Sequence, residues 1–233
     1  MSRNHFATND GSLTRFSARY GENYHSTFGA LTESRYVFLE SSGVLERLEN
    51  GQPTKVLEIG FGLGLNFLIT ADKASSMSTR LDYHAYEHDL VDCQTLGSMG
   101  YEQFLTNPGL LETLTRELYR NSSISRHMKF SPTLNCSVEL QDASVASIPC
   151  ACYHAIYLDA FSPDNNSECW TPEFMSALAQ ALTADGRLVT YSAKGSVRRA
   201  MLTAGLDVQK LPGPPGKREF LLARGRTTKV SRA

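Results

Sequence analysis

The chain has 233 residues, 41% of them hydrophobic and 20% charged, which suits one globular domain with a substantial core and leaves little room for a second. No run approaches the ~18 apolar residues of a membrane span, and the N-terminus M-S-R-N-H-F-A-T-N-D lacks the apolar centre of a signal peptide, so the expected location is cytoplasmic, away from any membrane. The formal charge of −1 hides a division, because residues 187–233 hold eleven Lys or Arg against two acids, a net of +9, and leave −10 on residues 1–186; a basic end on an acidic body points to a polyanion bound there.

Residues 10–39 are rich in Ser, Thr, Gly and aromatics, and Leu13, Phe16 and Tyr20 follow no clean period. From Leu31 to Leu48 the apolar positions fit a helix interrupted near Gly43. Residues 1–50 are read as a cap over the mouth of a site, 51–223 as the main domain and 224–233 as a basic tail. The stretch K-V-L-E-I-G-F-G-L-G-L-N-F, Lys55 to Phe67, organises that domain. Val56, Leu57 and Ile59 suit a strand buried on both faces of a parallel sheet. Gly60, Gly62 and Gly64 allow a sharp turn or a ligand pressed against the backbone, and the helix from Leu65 points its free N–H groups back at that turn. Leu65 stands where a dinucleotide fingerprint needs its third glycine, and the ending of a P-loop is missing. What remains, E-x-G-x-G-x-G from Glu58 to Gly64, resembles the first motif of class I S-adenosylmethionine-dependent methyltransferases; on its own it also fits a glycine-rich connection in another α/β protein.

Leu81 to Glu87 reads as the second strand, and its terminal Glu87 would lie beyond a carboxyl end, where a carboxylate takes hydrogen bonds from ribose hydroxyls. Leu105, Leu110, Leu111, Leu114 and Leu118 fit an amphipathic helix broken at Pro108, and Asn121 to Arg126 reads as a loop. Leu134 to Leu140 alternates with strict period two and ends at Asp142, an acceptor suited to an adenine amine. Ala155 to Leu158 is a buried strand with Asp159 at its tip. Thr171-Pro172-Glu173 opens a helix with a hydroxyl cap, proline at the first position and an acid at the positive end of the dipole. Leu188 to Ser192 is a strand, Ser196 to Ala204 a helix closed by Gly205, and Leu206 to Leu211 with Glu219 to Ala223 form two strands joined across P-G-P-P-G-K-R. Strand and helix alternate as in the α/β class I methyltransferase fold, Rossmann-like, with a mostly parallel seven-stranded sheet whose last strand is antiparallel. Cys93, Cys136, Cys150, Cys152 and Cys169 are too scattered for a structural metal and are expected as free thiols.

Further segments carry a more specific resemblance: D-A-F-S-P-x-x-N at Asp159 to Asn166, W-T-P-E at Trp170 to Glu173, Y-S-A-K-G-x-V-R-R at Tyr191 to Arg199 and G-K-R-E at Gly216 to Glu219, with D-G-S-x-T, Y-H-S-x-x-G-A and E-S-R-x-V-F at Asp10, Tyr24 and Glu33. Together they resemble the methyltransferase half of the bifunctional tRNA wobble-uridine enzymes that make 5-methylaminomethyl-2-thiouridine, and its stand-alone relatives. Leu63 and Tyr36 depart from the threonine and histidine common in that family. The resemblance implies methyl transfer from S-adenosylmethionine to the amine of a 5-aminomethyluridine in tRNA, and no flavin, since the chain ends about where an oxidase half would begin. A separate flavin-dependent or other uridine-modifying enzyme would then act upstream. Carried onto this chain, the resemblance makes Asp159 the catalytic carboxylate that orients the amine and takes its proton, assigns Glu58, Gly60, Gly62, Gly64, Asn66, Glu87 and Asp142 to the cofactor, and assigns Tyr24, Glu33, Phe161, Lys194, Arg198, Lys217 and Arg218 to the anticodon stem-loop. Two alternatives are a polyamine aminopropyltransferase, which needs a second acid where Ser162 stands, and a non-catalytic RNA-binding module on the same fold.

Overall fold

The computed structural model describes residues 5–120 and 122–225. The chain opens with three short antiparallel strands, β1 (His5–Ala7), β2 (Leu13–Ser17) and β3 (Glu22–Asn23), which form their own sheet. Helix α1 (Ala30–Glu33), a π-helical stretch over Ser34–Glu40 and α2 (Val44–Glu49) follow, with Gly43 in the left-handed region at the break. The strands and α-helices that follow are β4 (Thr54–Ile59), α3 (Leu65–Ser76), β5 (Leu81–Tyr86), α4 (Cys93–Gly97), α5 (Gly109–Leu118), β6 (Ser125–Ser131), β7 (Leu134–Glu139), β8 (Tyr153–Leu158), α6 (Pro172–Ala181), β9 (Leu182–Thr190), α7 (Gly195–Thr203), β10 (Leu206–Pro212) and β11 (Glu219–Gly225).

The main sheet runs β10-β11-β9-β8-β4-β5-β7-β6. β4, β5, β7, β8 and β9 pair in parallel, whereas β11 is antiparallel to both of its neighbours. Setting β6 aside, the seven strands stand in the order 3-2-1-4-5-7-6 counted along the chain, with the antiparallel strand last in sequence, as expected. The eighth strand is a correction. Ser125 and Arg126, read as loop, begin β6, which pairs antiparallel with β7 at the sheet edge. Its inward positions are Arg126 and Met128 and its outward ones His127 and Lys129, so a buried arginine interrupts the apolar alternation that would have marked it. The three cap strands escaped for a related reason, since two to five residues are too few to show a period.

Val56 faces one core while Leu57 and Ile59 face the other, so β4 is buried on both sides. The first core joins the sheet to α2, α3 and α5 and also takes in Ala30, Leu31, Val37, Phe38 and Leu39 from the cap; the second lies under α6 and α7. β11 extends to Gly225, and residues 226–233 of the expected tail lie outside the described residues. The strand order reverses between β4 and β8, and in open α/β sheets the crevice outside the carboxyl ends at that point is where ligands bind.

Candidate active site

At that crevice lies a cavity of about 300 Å³. Its floor begins at the glycine turn after β4. Gly60 has φ 89°, and a Cβ there would stand 2.7 Å from the carbonyl oxygen of Asp159, so only glycine lets β4 and β8 end side by side. Gly62, at φ 54°, opens onto the cavity, where a Cβ would press on the Tyr24 ring at 3.1 Å. The Gly62 N–H donates to Glu87 Oε2 at 2.8 Å and the Asp89 N–H to Glu87 Oε1 at 2.7 Å. These two bonds fix the carboxylate at the end of β5 and oppose the burial that raises its proton affinity. Asp142 accepts from Ser144 N and Oγ through Oδ1, which leaves Oδ2 for a ligand.

Asp159 stands opposite. Asn66, in the first turn of α3, donates from Nδ2 to Asp159 Oδ2 at 2.8 Å and to Glu58 Oε1 at 2.9 Å. Burial, and then the charge of Glu33, hold the Asp159 carboxyl well above the usual range, against the pull of Asn66 and Lys217. Lys217 enters from the terminal hairpin, pairs with the buried Glu33 at 2.6 Å and lies 4.5 Å from the centre of the Tyr191 ring. The cap supplies the aromatic wall. Tyr20 stacks on Phe161 at 4.2 Å, Tyr24 meets Phe161 edge-on at 5.1 Å, and burial pushes the Tyr24 hydroxyl up to about 12. Glu22 ties the cap to the loop after β8 by accepting from Ser162 and Asn165.

Gly60, Gly62, Asn66, Glu87, Asp142, Asp159, Tyr24, Glu33, Phe161 and Lys217 therefore share one cavity. Glu58 does not reach it, which corrects its reading as a cofactor contact: with Val56 it points to the α3 face of β4, where it is 1% exposed and accepts from Tyr83 Oη at 2.9 Å. Gly64 is also outside, as the N-cap of α3 packed near Leu114 and Phe61. Lys194 pairs with Asp164 on the surface, and Arg198 and Arg218 are exposed. Sequence reasoning missed Tyr20, Glu22, His25, Gln141 and Tyr191 as lining residues. Tyr191 stood in a quoted motif, but the cap residues gave no periodic signal.

Among the described residues the lining holds five carboxyl side chains and one ammonium, that of Lys217, a balance that favours a cationic ligand. Asn66 Oδ1 is buried without a partner among the described residues, the state of an acceptor that a bound donor completes. The turn at Gly62, the held carboxylate of Glu87 and the free oxygen of Asp142 fit a nucleoside carrying a sulfonium and an ammonium. Sheet order and site together define a class I S-adenosylmethionine-dependent methyltransferase. Residues 109–226 match the sequence model of a family described as S-adenosyl-L-methionine-dependent methyltransferase, and the chain belongs to that family.

Among its relatives are the tRNA 5-methylaminomethyl-2-thiouridine biosynthesis bifunctional proteins MnmC of Ralstonia nicotianae, 32% identical over 90% of this chain and 33% of that one, and of Azoarcus sp., 33% identical over 91% and 34%. The chain spans about a third of the length of these curated relatives. The crystal structure of MnmC2 from Aquifex aeolicus is 28% identical, with a TM-score of 0.75 over 94% of this chain and 69% of that one. A spermidine synthase structure, 15% identical with a TM-score of 0.50 over 91% of this chain and 69% of that one, shares the fold alone.

Proposed function

We propose that the chain methylates the primary amine of a 5-aminomethyluridine, with or without sulfur at position 2, at the wobble position of tRNA. The observation that carries this reading is Asp159, a carboxyl of raised proton affinity held by Asn66 on the cavity floor beside the glycine turn. The MnmC relatives are named for tRNA 5-methylaminomethyl-2-thiouridine biosynthesis, and a methylamino group is what the proposed transfer leaves on the nucleoside.

When bound, S-adenosylmethionine supplies an electrophilic methyl on a sulfonium. An ammonium has no lone pair, so the substrate amine must lose one proton before it can react. Asp159 accepts that proton, and burial improves it as a base because its proton affinity moves toward the working pH. Phe161 and Tyr24 offer aromatic walls against which a splayed base stacks. Lys217, committed to Glu33, shapes the amine's surroundings from inside the cavity, while Arg198 and Arg218 meet phosphates outside it. The aminomethyl group is made by a separate uridine-modifying enzyme, flavin-dependent or otherwise, acting upstream. An aminopropyltransferase is less well supported, since Ser162 at the position of its second acid is spent as a donor to Glu22.

The test is release of S-adenosylhomocysteine on adding tRNA that carries 5-aminomethyluridine. Release with that tRNA and none with the unmodified transcript supports the proposal; equal release with both, or none with either, refutes it.

A further inference from the structure

Glu58 and Asp159 end up joined although they come from different strands. The Asn66 amide has two N–H bonds on one nitrogen; one meets Glu58 Oε1 and the other Asp159 Oδ2. Behind Glu58, Tyr83 on β5 closes the arrangement at Oε2. The other titratable groups acting on Glu58 are Cys136 on β7, Tyr157 on β8 and, at the end of β5, Glu87. Those acting on Asp159 are Glu33 and Lys217 from the cap and the terminal hairpin, and Tyr191 after β9. Two carboxyls separated by a single neutral amide do not both ionise at low cost. Glu58 is 1% exposed in the core whereas Asp159 opens on the cavity, so desolvation penalises charge more heavily on Glu58.

We infer that Glu58 is a positioning residue for the proposed transfer: it is protonated in the working enzyme and fixes the Asn66 amide that holds Asp159, leaving the pair's one negative charge on the carboxyl that faces the amine. This rests on the reading of Asp159 as the proton acceptor. The amine nitrogen forms its bond to carbon as the carbon–sulfur pair leaves with sulfur, the proton shed by nitrogen passes to Asp159 and then to solvent through the cavity, and the Glu58 proton stays where it is.

Two kinds of measurement test this. By infrared spectroscopy at neutral pH without substrate, the protein should show the carbonyl band of a buried carboxylic acid, and Glu58→Gln should remove it. Absence of that band from the unaltered protein, or its survival in Glu58→Gln, overturns the inference. In single-turnover assays Glu58→Met, which keeps the bulk and removes both hydrogen bonds, should slow transfer about ten- to a hundredfold, as misplacement of a catalytic group does, with the cofactor KM unchanged within twofold. Glu58→Gln should recover most of that rate and keep the acid limb of the pH profile in place. Full activity in Glu58→Met, or an acid limb moved to lower pH in Glu58→Gln, overturns the positioning role. Should Glu58→Met fail to fold, Tyr83→Phe, which removes only the far anchor, should give a smaller fall in rate without a change in KM; no fall counts against the inference. No turnover with any tRNA would sink the methylation reading itself, and the infrared result would still decide the protonation of Glu58.

Discussion

Asp159 and Gly60 meet at the junction of β4 and β8, and the chemistry of the site turns on the carboxyl. Asp159→Asn keeps the shape and removes the proton acceptor. It should leave S-adenosylhomocysteine affinity within a few-fold of the unaltered protein and lower single-turnover transfer by roughly 10² to 10⁴. A near-normal rate would show that alignment alone carries the reaction. The positions of Glu87, Asp142 and Asp159 were legible in the sequence, because each ends or follows a strand whose period or apolar run is clean. Glu58 was misread because the glycine motif was taken whole. Alternation along β4 puts Glu58 on the face of Val56, but what keeps it from the cavity is that Asn66 and Tyr83 take its two oxygens, contacts between strands and helix that the motif does not show.

At the scale of elements, the cap hairpin is held by polar contacts. Arg15 donates to Thr95 at 2.7 Å, Tyr101 to the Leu13 carbonyl at 2.9 Å, and Glu22 receives Ser162 and Asn165. Hydrogen bonds to a charged group contribute ~1.5–3 kcal/mol, so Glu22→Ala should speed S-adenosylhomocysteine dissociation by about tenfold, measured by stopped flow; an unchanged rate would mean that the cap does not close the site. His25 gives the cap a pH dependence. Burial lowers its ring from the ordinary 6.5 to about 4, against the charge of Asp10. The unfolded chain takes up the proton first as pH falls, so stability is complete above about 6.5 and declines toward 4. Urea midpoints at pH 7 and pH 5 should therefore differ more in the unaltered protein than in His25→Gln, and equal differences would contradict this. None of these cap contacts was legible in sequence, because each joins residues far apart in the chain through side chains on strands too short to be seen. D-G-S-x-T was legible only as a motif; its Asp10 accepts from Ser12 N and from Thr32 N, pinning β1 and β2 to α1.

Across the whole molecule the basic segment divides. Lys217 turns inward to Glu33, whereas Arg198, Arg199 and Arg218 face solvent. If those arginines meet tRNA phosphates, Arg218→Ala should reduce the salt slope of tRNA binding by about one unit, equally for all tRNAs. Lys217→Ala should leave that slope in place and lower turnover. The reverse pattern would mean that the backbone is gripped elsewhere. The sequence showed the charge division, but not which cation points inward, since that depends on where the P-G-P-P-G-K-R turn lands against the cap. The claim that joins residue, element and molecule is a methyl placed on one amine of one nucleoside, and mass spectrometry of wobble nucleosides from tRNA incubated with the protein and methyl-labelled S-adenosylmethionine tests it most directly. Label is expected in 5-methylaminomethyluridine or its 2-thio form and is lost with Asp159→Asn; label in another nucleoside, or none in tRNA that carries the aminomethyl group, would contradict methyl transfer to that amine.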